Sequence, residues 1–287
     1  MPTQLTGIIT GGASGIGRAI SKELAARGIF VVIADINASL GEDLVLEIHA
    51  NGGKSRYMPV DVTDASSVHN VIHAVYQEFG RLDYLFNNAG ISMYGELDQM
   101  SLEHWKKIMD INLWGVIYGV QAAYPLMKQQ GFGHIANTAS VAGLGPTPTA
   151  SAYSTTKHAV VGLTTSLHYE AEAFGIKVSA ICPSHVDTPI FDNGEAISLD
   201  KNKINEQVRK QKMMSPEAFA IFALKGLEQN KPIVCPVPLR RTMDAVFALF
   251  PFLQRKIMRM VCRVVRETSV VKSDDSPALP VHKNTPF

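Results

Sequence analysis

Short apolar runs alternate along the chain with longer stretches in which apolar residues recur every three or four positions. Thr6 to Thr10 is a β-rich run, followed by glycines and then by Ile16, Ile20 and Leu24 at helical spacing. Phe30 to Ala34 (F-V-V-I-A), bounded by Gly28 and Asp35, reads as a strand buried on both faces. Further strands are expected at Ser55 to Val60, Leu82 to Phe86, His134 to Thr138, Lys177 to Cys182 and Pro232 to Cys235. Helices of about 12 to 25 residues lie between them, including Ala65 to Phe79, Leu102 to Gln130, Ala152 to Phe174 and Pro216 to Gln229. Right-handed crossovers between parallel strands place helices on both faces of a sheet. The alternation therefore predicts an α/β chain with a doubly wound parallel sheet of about seven strands. No tandem repeat or break in composition interrupts this pattern before about residue 238, so residues 1–238 form one expected domain.

Beyond that point the pattern changes. Residues 239–267 interleave eleven apolar residues, from Val246 to Val264, with seven basic and two acidic ones, a local charge of +5. The total of 27 Lys and Arg against 26 Asp and Glu conceals this segment, since the remainder must be mildly acidic. The apolar run is shorter than the roughly 20 residues of a bilayer span, and Pro251 interrupts it. An amphipathic helical extension is predicted, and two readings of it stand. It lies on an anionic membrane surface, or its apolar face packs on a partner subunit or over the substrate mouth. Residues 268–287, Pro-rich and polar from Ser273 onward, are expected to be disordered.

The overall charge of +1 gives no case for nucleic-acid binding. Cys182, Cys235 and Cys262 lie far apart and form no C-x-x-C pair, which argues against disulfides and zinc and suits a reducing, cytoplasmic compartment. The first residues, Met-Pro-Thr-Gln-Leu-Thr-Gly, have neither the basic nor the apolar region of a signal peptide. No metal site is expected, because the nine histidines are scattered and make no H-E-x-x-H. His168 is placed on a helix surface, and His185 in a loop where it lines the substrate mouth.

Candidate chemistry begins directly after the first strand, at Thr10-Gly11-Gly12-Ala13-Ser14-Gly15-Ile16-Gly17. Glycines at such a turn let the backbone approach a pyrophosphate, and the following helix offers unpaired N–H groups and the positive end of its dipole. Gly11, Ser14, Gly15, Ile16 and Gly17 are thus candidate dinucleotide contacts in a Rossmann-like fold. Asp35 closes the second strand, with Ile36 beside it. A carboxylate there accepts hydrogen bonds from an adenosine ribose and repels a 2′-phosphate, favouring NAD over NADP as cofactor.

The spacing T-G-x-x-x-G-x-G resembles the short-chain dehydrogenase/reductase family. Asn87-Asn88-Ala89-Gly90, Asn112, Ser140 and Tyr153-x-x-x-Lys157 follow in that family's order, so the resemblance spans about residues 5 to 236. Tyr153 and Lys157, four apart on a helix, face the same way. A phenol with an ordinary pKa of about 10 is a poor base. A neighbouring ammonium and the positive nicotinamide both favour phenolate and make Tyr153 a proton acceptor, while Ser140 hydrogen-bonds the substrate oxygen. The resemblance further implies that Lys157 binds the nicotinamide ribose and that Asn112 positions a water in a relay from Lys157. It also implies that Asp61 and Val62 contact adenine, that Asn88, Ala89 and Gly90 border the adenosine, and that Val186 and Thr188 hold the carboxamide. Ser184 departs from the family's common glycine after Pro183. The substrate walls implied are Ile91 to Gly95, Val141 to Ala152 and a polar, mobile lid over residues 189–214, with Met93, Tyr94, Leu144 and Pro146 lending an apolar lining. A homodimer or homotetramer formed through the Tyr153 helix is also implied.

The expected function is hydride transfer between NAD and a small-molecule secondary alcohol or ketone of apolar, lipid-like character. A lyase or epimerase on this fold, and a non-catalytic NAD sensor, are the alternatives. The intact glycine turn, Asp35 and Lys157 weigh against the first, and the joint presence of Ser140, Tyr153, Lys157 and Asn112 against the second.

Overall fold

The computed structural model describes residues 4–269. The central strands are β1 (Thr6–Thr10), β2 (Phe30–Asp35), β3 (Ser55–Pro59) and β4 (Tyr84–Asn87), with helices α1 (Gly15–Ala26), α2 (Ala38–Ala50) and α3 (Ala65–Phe79) between them. A three-residue strand β5 (Met93–Gly95) precedes α4 (Leu102–Met109) and α5 (Gly115–Gln130). Then come β6 (Gly133–Thr138), α6 (Ser151–Glu172) and β7 (Ile176–Ile181). The chain closes with α7 (Ile190–Asn193), β8 (Glu195–Ile197), α8 (Lys201–Arg209), α9 (Pro216–Glu228), β9 (Ile233–Val234), α10 (Arg240–Leu249) and α11 (Pro251–Ser269). Seven strands form one parallel sheet in the order β3-β2-β1-β4-β6-β7-β9, the expected doubly wound architecture in a single domain.

Adjacent residues on each strand supply opposite faces of this sheet. Ile8, Val32, Leu85, Ile135 and Ala180 pack beneath α3, α5 and α6. Their neighbours Ile9, Ile33, Phe86, Ala136 and Ile181 join Ile20 and Leu24 of α1 and Phe219 and Leu224 of α9 on the other side. This two-sided burial is why the strands read as continuous apolar runs. Each cluster removes more than twenty side chains from water, at about 25 cal/mol per Å2 of apolar surface.

Three expectations change. The single helix predicted over Leu102 to Gln130 is α4 and α5 joined by a widened, π-type turn at Asp110–Trp114. His168 is not on a helix surface but 5% exposed, with its Nδ1 2.7 Å from the Val178 carbonyl of β7. It shares a face of α6 with Val160, Thr164 and Ala171, the face that covers the sheet. The segment read as a lid contains regular elements: β8 pairs in parallel with β5, and Arg209 of α8 grips the Asp192 carboxylate of α7 at 2.8 and 2.9 Å. The amphipathic extension is two helices, broken at Phe250–Pro251, and none of the described helices is long and apolar enough to cross a membrane. The disorder expected at the C-terminus concerns positions that, beyond residue 269, lie outside the described residues.

One close approach joins the sheet to α5. A Cβ added at Gly119 would sit 1.9 Å from the Asn87 Oδ1, where Asn87 Nδ2 donates to Asn137 Oδ1 at 2.8 Å. Gly119→Ala should therefore destabilise the fold by about 1 to 3 kcal/mol, the usual cost of overpacking. The urea unfolding midpoint measures it, and an unchanged midpoint would mean that the helix moves away without loss.

Candidate active site

The ends of β1, β4 and β6 meet at Asn88. Thr10 Oγ1 accepts the N–H groups of Asn88 and Ala89 at 2.9 and 3.2 Å, and Asn88 Nδ2 donates to the carbonyls of Thr10 and Gly11, both at 3.2 Å. Thr138 Oγ1 donates to the Asn88 Oδ1 at 3.2 Å. Asn88 is thus fully engaged by protein, and Thr10 and Thr138 are structural members of the site that the sequence reading did not single out. The only hint was Thr10's position directly before the glycines.

Steric limits shape the turn itself. A Cβ at Gly11 would lie 2.8 Å from the Ala89 Cα, and one at Gly17 would lie 2.1 Å from the Gly11 carbonyl oxygen. Gly11 and Gly15 also hold φ of +60° and +50°, which side-chain-bearing residues rarely adopt. Ser14 begins α1 without a side-chain cap and no acidic residue sits in the first turn, so the helix N-terminus keeps its donors and its positive potential for an anion. These features fit the pyrophosphate of a dinucleotide. Asp35 supports the same turn: Oδ2 accepts the Ala13 N–H and Oδ1 the Asn37 N–H, each at 3.0 Å. Each carboxylate oxygen retains a further lone pair for a ribose hydroxyl.

Ser140, Tyr153 and Lys157 converge by a second close approach. The turn Val141–Gly143 lies flat on α6, where a Cβ on Gly143 would come within 2.4 Å of the Lys157 carbonyl oxygen, and Ser154 Oγ donates to the Ala142 carbonyl at 2.8 Å. This contact sets the Ser140 hydroxyl against the Tyr153 phenol as a hydrogen-bond partner. Lys157 is buried, its Nζ donating to the Thr138 carbonyl at 2.9 Å and lying 5.7 Å from the Tyr153 ring centroid. Burial pushes the Lys157 ammonium down to about 8. It also raises the Tyr153 phenol above its ordinary value, and the Ser140 hydrogen bond only partly opposes this. The sequence argument expected a lowered phenol from the neighbouring ammonium. In the protein alone desolvation outweighs that effect, because both groups lose water together.

Asn112 occupies the widened turn between α4 and α5 and is wholly buried. Its Oδ1 accepts the Ile91 N–H at 2.8 Å, and its Nδ2 donates to the Ile91 carbonyl at 2.9 Å and to Thr156 Oγ1 at 3.3 Å. The side-chain amide therefore has no N–H left over. It clamps the segment that leads from β4 to the cavity wall, and Gly90 passes so close that a Cβ would meet Asn112 Oδ1 at 3.1 Å and Lys157 Nζ at 3.5 Å.

A cavity of about 570 Å3 runs from the glycine turn to this cluster. Gly11, Ser14, Gly15 and Ile16 line one end, Ser140, Tyr153 and Lys157 the other, with Asn88, Ala89, Gly90, Val186 and Thr188 between. Asp35, Ile36, Asp61 and Val62 lie outside the lining. Ile36 and Asp61 are exposed, and Val62 packs where a Cβ on Gly115 would come within 2.9 Å. Ser184 needs no left-handed backbone, so its departure from glycine costs no strain. His185 lines the cavity as expected, and burial lowers its pKa.

Of the apolar lining expected, Tyr94 and Pro146 border the cavity. Met93 and Leu144 do not. Met93 alternates with Tyr94 on β5 and turns inward to Ile108 and Ala152, while Leu144 packs on the main core. Their places are taken by Ile190, Phe191 and Val208, from the segment read as a polar lid. A helix whose composition is polar still aims one apolar position inward, which composition alone hides.

The sequence profile for short chain dehydrogenase matches residues 6–196. A 2,5-dichloro-2,5-cyclohexadiene-1,4-diol dehydrogenase of Sphingobium indicum is 39% identical over 186 residues, covering 65% of this chain and 74% of that one. A cyclohexanol dehydrogenase of Acinetobacter is 35% identical over 198 residues, covering 67% of this chain and 78% of that one. Among solved structures, a short chain dehydrogenase/reductase from Burkholderia phymatum in complex with NAD superposes with a TM-score of 0.79 at 28% identity, over 88% of this chain and 95% of that one. A short-chain dehydrogenase from Sphingobium yanoikuyae in complex with NADPH gives 0.74 at 25% identity, over 88% and 95%.

The Asn112 clamp makes its own prediction. Asn112→Ala removes both bonds to Ile91, and amide exchange at Ile91 should accelerate by at least about fivefold, the value of one lost hydrogen bond of ~1 kcal/mol. Unchanged exchange would mean that the peptide is held by other groups.

With the sequence profile covering two-thirds of its length and a seven-stranded sheet that superposes on solved members, this chain belongs to the short-chain dehydrogenase/reductase family of oxidoreductases.

Proposed function

We propose that the protein interconverts an apolar secondary alcohol and its ketone with NAD as the hydride carrier. The observation that carries this reading is the continuity of one cavity from the glycine turn to Ser140, Tyr153 and Lys157. A dinucleotide held by its pyrophosphate at the turn would supply the hydride-transfer chemistry at the Tyr153 end of the cavity. The chain supplies the rest. Gly11 to Gly17 and the α1 N-terminus bind the pyrophosphate, while Asp35 accepts from the adenosine ribose. Ser140 donates a hydrogen bond to the substrate oxygen. Tyr153 takes the hydroxyl proton in oxidation and gives it back in reduction.

Burial fits this division of labour. A phenol raised by desolvation holds its proton while no cationic ring lies beside it. A cationic nicotinamide ring beside it, together with the Lys157 ammonium, favours the phenolate when proton abstraction is needed. Lys157 serves by its charge and by hydrogen bonds to the nicotinamide ribose, held in place by the Thr138 carbonyl. Asn112 acts as a positioning residue through Ile91. Relatives named for cyclohexanol and for a chlorinated cyclohexadienediol act on ring alcohols, and the Tyr94, Phe191 and Val208 lining suits an uncharged ring. Asp35 supports NAD, since a ribose 2′-phosphate would stand against its carboxylate.

Tyr153→Phe should lower kcat for secondary alcohols by at least about 100-fold, the usual share of acid–base catalysis, with NAD binding nearly unchanged. Absorbance of the reduced cofactor and a separate NAD titration measure the two, and full turnover would refute the assignment. Asp35→Ala should lower the ratio of kcat/KM with NAD to that with NADP by about tenfold or more, the worth of one charge-assisted hydrogen bond. Any distortion of the Ala13 turn acts on both cofactors and cancels in that ratio. An unchanged ratio would remove Asp35 from the ribose site.

A further inference from the structure

Helix α11 carries three stripes. Met258, Val261, Cys262 and Val265 are half-buried against the protein body. On a second stripe Leu253, Ile257 and Met260, spaced i, i+4 and i+7, stay exposed. The third holds Arg255, Lys256, Arg259 and Arg263, all exposed and making no ion pair among the described residues. With Arg266 and one acidic residue, Glu267, the helix has a charge of +4. At the corner where α10 meets α11, Leu249 is 74% and Phe252 62% exposed, and Phe250 packs edge-on to Phe252 with ring centroids 6.1 Å apart. Among the described residues the helix meets the body through its first stripe, while an apolar stripe and an aromatic corner stay exposed beside a line of cations without an ion-pair partner.

We infer that α10 and α11 dock on an anionic lipid surface, the aromatic corner and the Leu253–Ile257–Met260 stripe entering the headgroup boundary and the four cations meeting lipid phosphates. Charge complementarity selects this occupant. A second copy meeting the face symmetrically would bring two basic stripes together, and like charges oppose that association. An acidic headgroup layer neutralises them, while the arginine and lysine stems lie along the interface. The segment is peripheral, since no described helix is long and apolar enough to span a bilayer.

Placement adds a consequence. α11 rests on α8, whose Val208 lines the cavity, and Arg266 holds the Glu96 carboxylate at 2.7 and 3.1 Å, two residues past the cavity residue Tyr94. The docking helix thus borders two walls of the cavity, on the route by which a membrane-dissolved molecule would arrive.

Co-sedimentation of the full chain with vesicles tests this without reading turnover, so it stands or falls apart from the proposed reaction. At low salt the protein should pellet with vesicles of phosphatidylcholine mixed with phosphatidylglycerol. It should stay in the supernatant with phosphatidylcholine alone, and added salt should release it. R259E/R263E should weaken binding at least about thirtyfold, from about fivefold per charge. F250S/F252S should weaken it at least about tenfold through lost apolar burial. Both variants alter exposed side chains, and circular dichroism checks that they fold. Wild-type protein left in the supernatant at low salt overturns the inference, as does equal pelleting with neutral vesicles or variants that bind like wild type. A dimer that F250S/F252S dissociates, with no vesicle binding by wild type, also overturns it and assigns the face to a second copy.

Discussion

Everything chemical in this protein hangs on how closely three parallel strands can end beside one another. The Asn88 side chain spans the ends of β1 and β6 from its place after β4, and the Thr10 hydroxyl closes the knot. Only glycine at positions 11 and 17 allows that proximity, since a single added carbon would strike Ala89 or the Gly11 carbonyl. The strand ends then form one rim. The glycine turn stands on one side of the point where strand order reverses, and Ser140, Tyr153 and Lys157 stand on the other.

That rim also explains the electrostatics. Lys157 comes to the Thr138 carbonyl because α6 is pressed onto the turn after β6 at Gly143, and the same pressing strips water from Tyr153. Proximity and desolvation arise from one packing event, so the pair cannot be brought together without raising the phenol. A site that held a permanently low tyrosine pKa would need charge within the protein. In the proposed reaction a cationic ring would add its charge to that of Lys157 and so couple proton abstraction to occupancy.

The parts of this arrangement that were legible in the sequence are those written in local pattern. The continuous apolar run Phe30 to Ala34, the glycine turn, and the Tyr153–Lys157 spacing each have one physical meaning once strand and helix are assigned. Tertiary partners were not legible. His168 was misplaced because a polar residue on a long helix looks solvated until the carbonyl it meets, that of Val178 on β7, is known. Met93 and Leu144 read as cavity residues because the segments that carry them line it, although β-alternation and core packing turn those two side chains inward. The division of Leu102 to Gln130 escaped notice because a widened turn keeps the helical period and leaves only a shift of phase. Asn112 sits at that shift, a buried polar side chain in a helix interior, where it is disfavoured unless its amide is satisfied.

The match to the family's sequence profile ends at residue 196, and further elements of the cavity wall follow it. Val208 of α8 completes the cavity wall, and α11 leans on α8 while Arg266 reaches back to Glu96 near β5. Binding of a dinucleotide depends on strand ends that cannot change without breaking the sheet. The substrate wall depends on helices fastened by surface ion pairs such as Arg209–Asp192, which are individually weak and easily rearranged. Such a split leaves the wall easier to rearrange than the glycine turn and the Tyr153 cluster. The cavity wall is thus shared between the two parts, Tyr94 and Pro146 coming from the matched region and Val208 from beyond it.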